Sequence, residues 1–422
     1  MNIKQYISGY KGEVNYTFSN MVNAAVTMIS GIVAAAFIDP SDLGVIQTVL
    51  LVQTYVNFLH LGVFNGLNRN LAYYKAKNDL VKMQDEIDTS HTISWIVAII
   101  GFVVGLCLLV YYLFNGYDNV YIWSSVLLLI TLFFNPLTIH VESTFRSGQQ
   151  FGSLGNIKNL QSLVYFISSF LPIICGYIGR VLSNIVNIVF GYYARLFKIP
   201  YKHKAWGSWG ALKDLLSAGF PLLVAGYVGG VLSVADRTLI AANLGMEPVG
   251  YYTIAGYCMS IFLVVTSSLN SLLYPKAATI YGQTGSRKAL FSFWKKSIAV
   301  FCAVIIPCAL IAYIVLPYLV ELFLPKYAGG IRAAQITLLT CVTYIYLGPS
   351  VLFGTFKKNT LYIIALALDL AFFWGVASLF RSQFDSIEKI ALLRFLTSLV
   401  MMVFVVVYSY RLVKNEKKDI VY

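Results

Sequence analysis

The sequence predicts an all-α integral membrane protein, with about twelve transmembrane helices in two six-helix lobes. Of its 422 residues, 58% are hydrophobic and only 12% are charged, whereas about a quarter of the residues of a soluble domain carry charge. Runs of about 18 to 25 mostly apolar residues recur along the whole chain, and each is long enough to cross ~30 Å of hydrocarbon. Lys and Arg residues concentrate in every second loop, as they do in multi-pass membrane proteins.

The apolar runs give the spans directly, and short polar or glycine-containing segments separate them. Gly176 and Gly179, in "CGYIGR", separate the fifth run from the sixth. The predicted spans are residues 14–38, 43–65, 91–114, 120–140, 157–177, 179–197, 214–241, 249–273, 297–318, 333–355, 360–380 and 390–411.

The basic residues orient these spans. The N-terminus, alternate loops and the C-terminal tail hold most of them, as at Lys75, Lys202, Lys288 and Lys417. The opposite loops hold few, namely Arg180, Lys326, Arg332, Arg381 and Lys389. By the positive-inside rule, both termini lie in the cytoplasm. The formal net charge of +13 therefore expresses topology, and we expect no nucleic-acid partner.

The two halves of the chain repeat one pattern. "FIDPSDLGVIQTVLL" follows the first span and "AANLGMEPVGYYTIAGY" follows the seventh, so that Gly44 aligns with Gly250. Because each half has an even number of spans, both halves have the same orientation, which is a parallel repeat. This predicts lobes at 1–213 and 214–422, with the substrate path between them.

These segments resemble the polysaccharide exporters of the multidrug/oligosaccharidyl-lipid/polysaccharide (MOP) flippase superfamily, and Wzx-type O-antigen flippases most of all. The resemblance covers nearly the whole chain. It is sharpest in "DPSDLG", in "LSAGFPLLVAGYVGGVLSVADRTLIAANLGMEPVGYY" and in "SSLNSLLYPKAATIYG".

The resemblance implies a V-shaped bundle in the bacterial inner membrane. It implies a flippase, not an enzyme, that moves undecaprenyl-diphosphate-linked oligosaccharide repeat units from the inner to the outer leaflet for O-antigen synthesis. Coupling to an ion or to the membrane potential would drive alternating access. We expect a monomer in contact with membrane lipid, and a polysaccharide polymerase and a chain-length regulator as partners.

Asp236 and Arg237 are adjacent charges inside an apolar run. On a helix they point about 100° apart, so each needs its own partner or a wet cavity. One interpretation is a salt bridge or an arginine that reaches the outer interface. The other, which the resemblance favours, is a cavity in which Arg237 binds a diphosphate or an acidic sugar.

Asp369, near the middle of the eleventh span, is the most deeply placed acid. It either makes a structural hydrogen bond to a neighbouring span or couples transport to an ion. Arg394 opens the last span, and we expect it to reach the outer interface.

Polar side chains form a stripe on each of the first two spans. Asn20, Asn23, Thr27 and Ser30 share one face of the first, and Gln53, Asn57 and His60 share one face of the second. The stripes suit a wet sugar path, because amides and hydroxyls hydrogen-bond to sugars, although polar stripes also join helices. The candidate substrate-binding residues are thus Asn20, Asn23, Thr27, Asn57, Asp236 and Arg237, with Asp369 as the ion-coupling candidate.

No cofactor, metal site or catalytic residue is expected. The six cysteines lie in apolar runs without a C-x-x-C pair, and neither a P-loop nor an H-E-x-x-H motif occurs. A cation-coupled multidrug exporter on the same fold is the main alternative function, but its cationic cargo would favour an acidic cavity. A membrane polysaccharide polymerase is a weaker alternative, because the outer loops are short.

Overall fold

The computed structural model describes residues 11–284, 287–355 and 358–415, and within these ranges the chain is helical without a β-strand. A helix satisfies its interior backbone groups by itself, which hydrocarbon requires. The helices are α1 Lys11–Phe37, α2 Pro40–Val56, α3 Val63–Ala76, α4 Leu80–Phe114, α5 Asn119–Ser147, α6 Phe151–Ser168, α7 Pro172–Leu196, α8 Trp209–Leu232, α9 Ala235–Leu244, α10 Met246–Thr284, α11 Arg287–Phe323, α12 Ile331–Thr343, α13 Leu347–Thr355, α14 Asn359–Leu379 and α15 Ile387–Asn415.

Eleven helical segments of the described residues are long and apolar enough to cross a membrane, against about twelve predicted from the sequence. The predicted span 157–177 corresponds to α6, which is not among the eleven. Polar side chains interrupt α6, including Asn156, Lys158 and Gln161. The protein is a multi-pass membrane protein with the predicted all-α fold.

The chain folds as two compact units that divide after Gly230. Most of α8 therefore packs with the N-terminal unit. The predicted lobes, 1–213 and 214–422, rest on the sequence repeat of the spans and not on packing, and that boundary stays a prediction.

Several predicted spans are broken in the structure, and two of these hold candidate site residues. The run 214–241 ends as α8 at Leu232, and α9 starts at Ala235. Asp236 favours this new helix start, because a first-turn carboxylate accepts a backbone N–H that has no partner within the helix. The run 43–65 ends as α2 at Val56, and the chain turns through Leu61 (φ 44°) and Gly62 (φ 89°) before α3 begins.

Glycines let α8 lie directly against the start of α3. A methyl group on Gly219 would overlap the carbonyl oxygen of Gly62, and one on Gly66 would overlap the carbonyl oxygen of Leu215. Small residues allow such close backbone approach, which drives helix packing in membranes.

We expect Gly219→Ala to destabilise the N-terminal unit by about 1–3 kcal/mol, because the added methyl group must push the two backbones apart. Gly226, about two turns further along α8, is the matched control, since a methyl group there meets no described atom within 4 Å. Thermal unfolding in detergent compares the two variants. Equal unfolding midpoints would show that the α3–α8 contact is not tight.

The helix α4 begins at Leu80, well before the predicted span start at residue 91. Its first turns hold the segment that precedes α8. Asp88 accepts a hydrogen bond from the backbone N–H of Lys204 at 2.8 Å, and Asp85 accepts one from the hydroxyl of Ser208 at 2.7 Å. Asp85 and Asp88, which precede the apolar run, thus have protein partners, and the helix includes them.

Candidate functional site

The polar stripe of α1 lies against α6 within the N-terminal unit. Asn20 accepts a hydrogen bond from Lys158 at 3.0 Å, and Asn23 donates one to Ser162 at 3.1 Å. Thr27 donates to the backbone of its own helix, at the carbonyl of Asn23. The stripe therefore makes interhelical contacts, and its proposed role toward substrate stays a prediction.

Asn57 lies in the turn after α2, where its side-chain Oδ1 accepts a hydrogen bond from the side-chain amide of Asn135 in α5 at 3.0 Å. His60 caps the same turn, since its Nδ1 accepts the backbone N–H of Gly62 at 3.1 Å. His60 is therefore a turn residue that packs against Phe64.

A polar cavity of about 320 Å³ lies inside the N-terminal unit, between α2, α5, α6 and α7. We call it the amide cavity, because five side-chain amides line it. Its walls are Leu50, Gln53, Leu127, Thr131, Asn135, Thr138, Gln161, Asn184, Asn187, Ile188, Gly191 and Arg195. Among these wall residues Arg195 carries the one formal charge, and none is acidic.

The wall amides are fixed but retain hydrogen-bonding capacity. Gln161 donates to the side-chain oxygen of Asn187 at 2.9 Å, and Tyr165 donates to that of Asn184 at 2.9 Å. Within the described part of the chain, the Gln53 side chain makes no hydrogen bond, and the Asn187 NH₂ donates none. A hydroxyl-rich ligand would satisfy these groups.

A cluster of charges borders the amide cavity at Arg195. Glu142 of α5 bonds Arg195 at 2.9 Å and Arg146 at 2.8 Å, and the Lys158 ammonium lies 3.5 Å from it. We call these four residues the basic cluster. From the sequence, the positive-inside rule predicts the three cations as inner charges, and no role was predicted for Glu142. The spacing Glu142–Arg146, four residues apart on one helix, was the available signal.

The sequence predicted Arg180 in an outer loop, but the structure places it in a helix. The chain kinks at Gly176 (φ 54°) within α7, and Arg180 lies in the helix after this kink with 8% of its surface exposed. Its guanidinium donates to the hydroxyls of Ser30 at 2.7 Å and Tyr165 at 3.2 Å. The glycine turn precedes the arginine and carries it into the helix bundle.

In the C-terminal unit, Asp236 is 1% exposed. It accepts hydrogen bonds from the hydroxyl of Tyr252 at 2.8 Å and from the backbone N–H of Arg237 at 2.8 Å. Because a buried carboxylate requires such partners, Asp236 has a structural explanation within its own unit. No pattern in the sequence indicated that a tyrosine would supply one of these hydrogen bonds.

Arg237 differs from its neighbour. Its side chain is half-buried and lies over Gly256, where a methyl group would collide with the guanidinium. Among the described residues of its own unit, it pairs with no carboxylate and donates no side-chain hydrogen bond. A half-buried guanidinium with five unused donors is a group on which an anion can bind.

Asp369 and Arg394 form a buried ion pair, with 3.4 Å between Oδ2 and Nη1, and are 8% and 6% exposed. The prediction that Arg394 reaches the outer interface is wrong. The helix α15 starts at Ile387, two turns earlier, so Arg394 lies within the bundle. Asp369 Oδ1 and Arg394 Nε have no hydrogen-bond partner within the described part of the chain.

The sequence profile of a family described as polysaccharide biosynthesis protein matches residues 33–327. The chain belongs to this family. A comparison with curated protein sequences finds no match. The family membership confirms the resemblance to polysaccharide exporters.

Solved structures confirm the fold. The chain is similar to a multidrug resistance MATE family transporter of the MOP superfamily, in its inward-facing conformation, with a TM-score of 0.76 and 13% identity over 94% of this chain and 96% of that one. It is similar to the lipid II flippase MurJ, with a TM-score of 0.70 and 13% identity over 94% and 87%. It is also similar to a MOP superfamily transporter from Pyrococcus furiosus, with a TM-score of 0.67 and 13% identity over 96% and 97%. At this identity the likeness establishes the fold alone.

Proposed function

We propose that this protein is a flippase that carries lipid-linked oligosaccharide repeat units across the bacterial inner membrane for surface polysaccharide synthesis. The amide cavity is the observation that supports it most. Five amides and two threonines offer donors and acceptors in one place, which is what a sugar with many hydroxyl groups requires. Membership of the polysaccharide biosynthesis family points to the same class of cargo.

A multidrug exporter is the second candidate, because the fold is shared with MATE transporters. A cationic drug would favour a carboxylate in the binding cavity. The described walls of the amide cavity hold none, and their charged residue is Arg195. This composition favours a neutral or anionic cargo. We propose no enzymatic activity, in line with the transporters that share the fold.

Deleting the gene from its host tests the function. We expect surface polysaccharide to disappear and lipid-linked repeat units to accumulate, because their synthesis continues while their transfer across the membrane stops. Expression of the wild-type chain should restore export, whereas Gln53→Leu with Asn187→Leu should reduce it about tenfold or more, since buried sugar hydroxyls would lose their partners. Asn115→Leu is the control, because Asn115 is an exposed amide at the end of α4.

The competing function predicts another result. A deletion strain with normal surface polysaccharide and increased sensitivity to cationic drugs would contradict the flippase and favour the exporter.

We also propose that both termini are cytoplasmic, as the basic loops predict. Cysteines placed at Lys202 and Asp118 test this orientation. We expect a membrane-impermeant thiol reagent to label position 118 in intact cells and position 202 only after lysis. Labelling of position 202 from outside would reverse the topology.

A further inference from the structure

The basic cluster carries a charge imbalance that the protein does not resolve. Three cations, Arg146, Lys158 and Arg195, surround the single carboxylate of Glu142, which leaves a net charge of two positive. In the described part of the chain, no second carboxylate pairs with any of the three. Uncompensated charge in a partly dehydrated site is costly, so this arrangement favours an anion.

Buried contacts hold most of the side chains of the basic cluster in place, so that they differ from mobile surface charges. The Arg195 side chain is 4% exposed, and those of Lys158 and Glu142 are 14% exposed. Arg195 is held by the carbonyl of Gly191 at 2.6 Å. Lys158 is held by Asn20 at 3.0 Å and lies 5.0 Å from the centre of the Tyr16 ring. The cations therefore keep their positions without a ligand.

The cluster opens in two directions. Arg195 is part of the wall of the amide cavity, while the side chain of Arg146 is 43% exposed. A molecule with sugars in the amide cavity would therefore carry an adjoining anionic group to the cluster. Two guanidinium forks and an ammonium suit phosphoryl oxygens, because the planar forks donate in pairs.

We propose that the basic cluster binds the diphosphate of the cargo, and that the Glu142 carboxylate occupies the diphosphate's place when the site is empty. This inference rests on the proposed function and assigns a part of the same cargo to a site. Glu142 keeps the cations ordered between transport cycles. It also competes with the cargo, so that the diphosphate is not held too tightly to leave.

If Glu142 competes with the anion, its removal should strengthen anion binding, whereas removal of a cation should weaken it. The probe is inorganic pyrophosphate, titrated calorimetrically into the purified full chain at low salt. We expect Glu142→Gln to bind it about tenfold more tightly, because the internal competitor is gone and one more positive charge remains. Glu321→Gln, which removes an exposed carboxylate of α11, should bind it as the wild type does.

Removing a cation should have the reverse effect. Lys158→Gln and Arg195→Gln should each weaken pyrophosphate binding about tenfold, the value of one charge-assisted contact. Should Arg195→Gln fail to fold, Arg146→Gln takes its place, because Arg146 is the most exposed of the three. A cluster that only joins helices predicts that Glu142→Gln weakens or does not change binding, and this result would overturn the inference.

A second experiment, with lipid present, distinguishes a lipid-linked diphosphate from free phosphate as the bound anion. We expect the chain in nanodiscs that contain undecaprenyl diphosphate to bind little added pyrophosphate, because the lipid head group fills the cluster. Unchanged binding there would assign the site to free phosphate and overturn the cargo part of the proposal.

The two proposals fail separately. If the amide variants abolish export but the cluster variants bind pyrophosphate like the wild type, this inference alone is wrong. If pyrophosphate binding behaves as expected but the deletion strain exports normally, the flippase function is wrong and the anion site remains.

Discussion

Arg237→Ala abolishes surface polysaccharide while protein abundance stays normal: this is the largest effect that we expect. The guanidinium is half-buried and lacks a partner among the described residues of its own unit, so its loss removes no ion pair or side-chain hydrogen bond within that part of the unit. It does remove a fixed cation. We propose that this cation offsets part of the hydration that the anionic head of the cargo loses during crossing, at a step after the head has left the basic cluster.

Two further variants sharpen this prediction. Arg237→Lys should retain part of the export, because it keeps the charge but not the planar pair of donors. The exchange Asp236→Arg with Arg237→Asp should fail, since Tyr252 donates to the carboxylate at position 236. Arg381→Ala is the control, because Arg381 is an exposed arginine of the same unit that contacts Asn243.

A structural Arg237 predicts the opposite pattern. Arg237→Ala would then lower protein abundance, and a second change from an acid to a neutral residue elsewhere would restore export. Immunoblots and surface polysaccharide measurements on the same cells distinguish the two outcomes. Restoration of that kind would end the proposal that Arg237 binds cargo.

The second large effect concerns the buried pair Asp369–Arg394. We expect Arg394→Leu to destabilise the C-terminal unit by about 3–5 kcal/mol, because it leaves an uncompensated carboxylate in the interior. The double variant Asp369→Asn with Arg394→Leu should recover much of this loss, since it removes both charges. Thermal unfolding of the purified chain in detergent measures both changes.

Export measurements then distinguish a purely structural role of the Asp369–Arg394 pair from a role in coupling transport to an ion. We propose that the Asp369–Arg394 pair opens during the transport cycle and couples that cycle to an ion. Asp369 Oδ1 accepts no hydrogen bond within the described part of the chain, which leaves it available to a coupling ion. On this proposal, the stabilised double variant stalls export at normal protein levels. Asp369→Asn alone also stalls export, but it leaves the buried Arg394 guanidinium uncompensated and should lower protein abundance as well. Normal export in the double variant would make the pair a structural element only.

The candidate site was predictable where the signal was a charge in an apolar run. Asp236, Arg237 and Asp369 stand out in the sequence because charge near the bilayer centre is costly. Their partners did not stand out. Tyr252 is one of 30 tyrosines, and the residue that pairs with Asp369 lies 25 positions away on another helix.

The amide cavity was predictable only in part. The helical stripe of α2 predicts Gln53, but Gln161, Asn184 and Asn187 lie on two other helices, α6 and α7, and only the packing of these helices brings the amides together. Arg146, Lys158 and Arg195 had already been explained by the positive-inside rule. A topology signal and a binding signal use the same residues, and the sequence does not separate them.

By itself the sequence determined that the chain is a multi-pass, all-helical membrane protein of the polysaccharide exporter type. Apolar length, charge density and loop charge are local properties, and hydrocarbon leaves helices as the available spanning structure. Only the tertiary structure decided that Arg394 is buried against Asp369, that Gly176 carries Arg180 inward, and that Glu142 gathers three cations. Each depends on which helices pack side by side and on where a helix breaks, and the contacts that settle this join residues far apart in the chain.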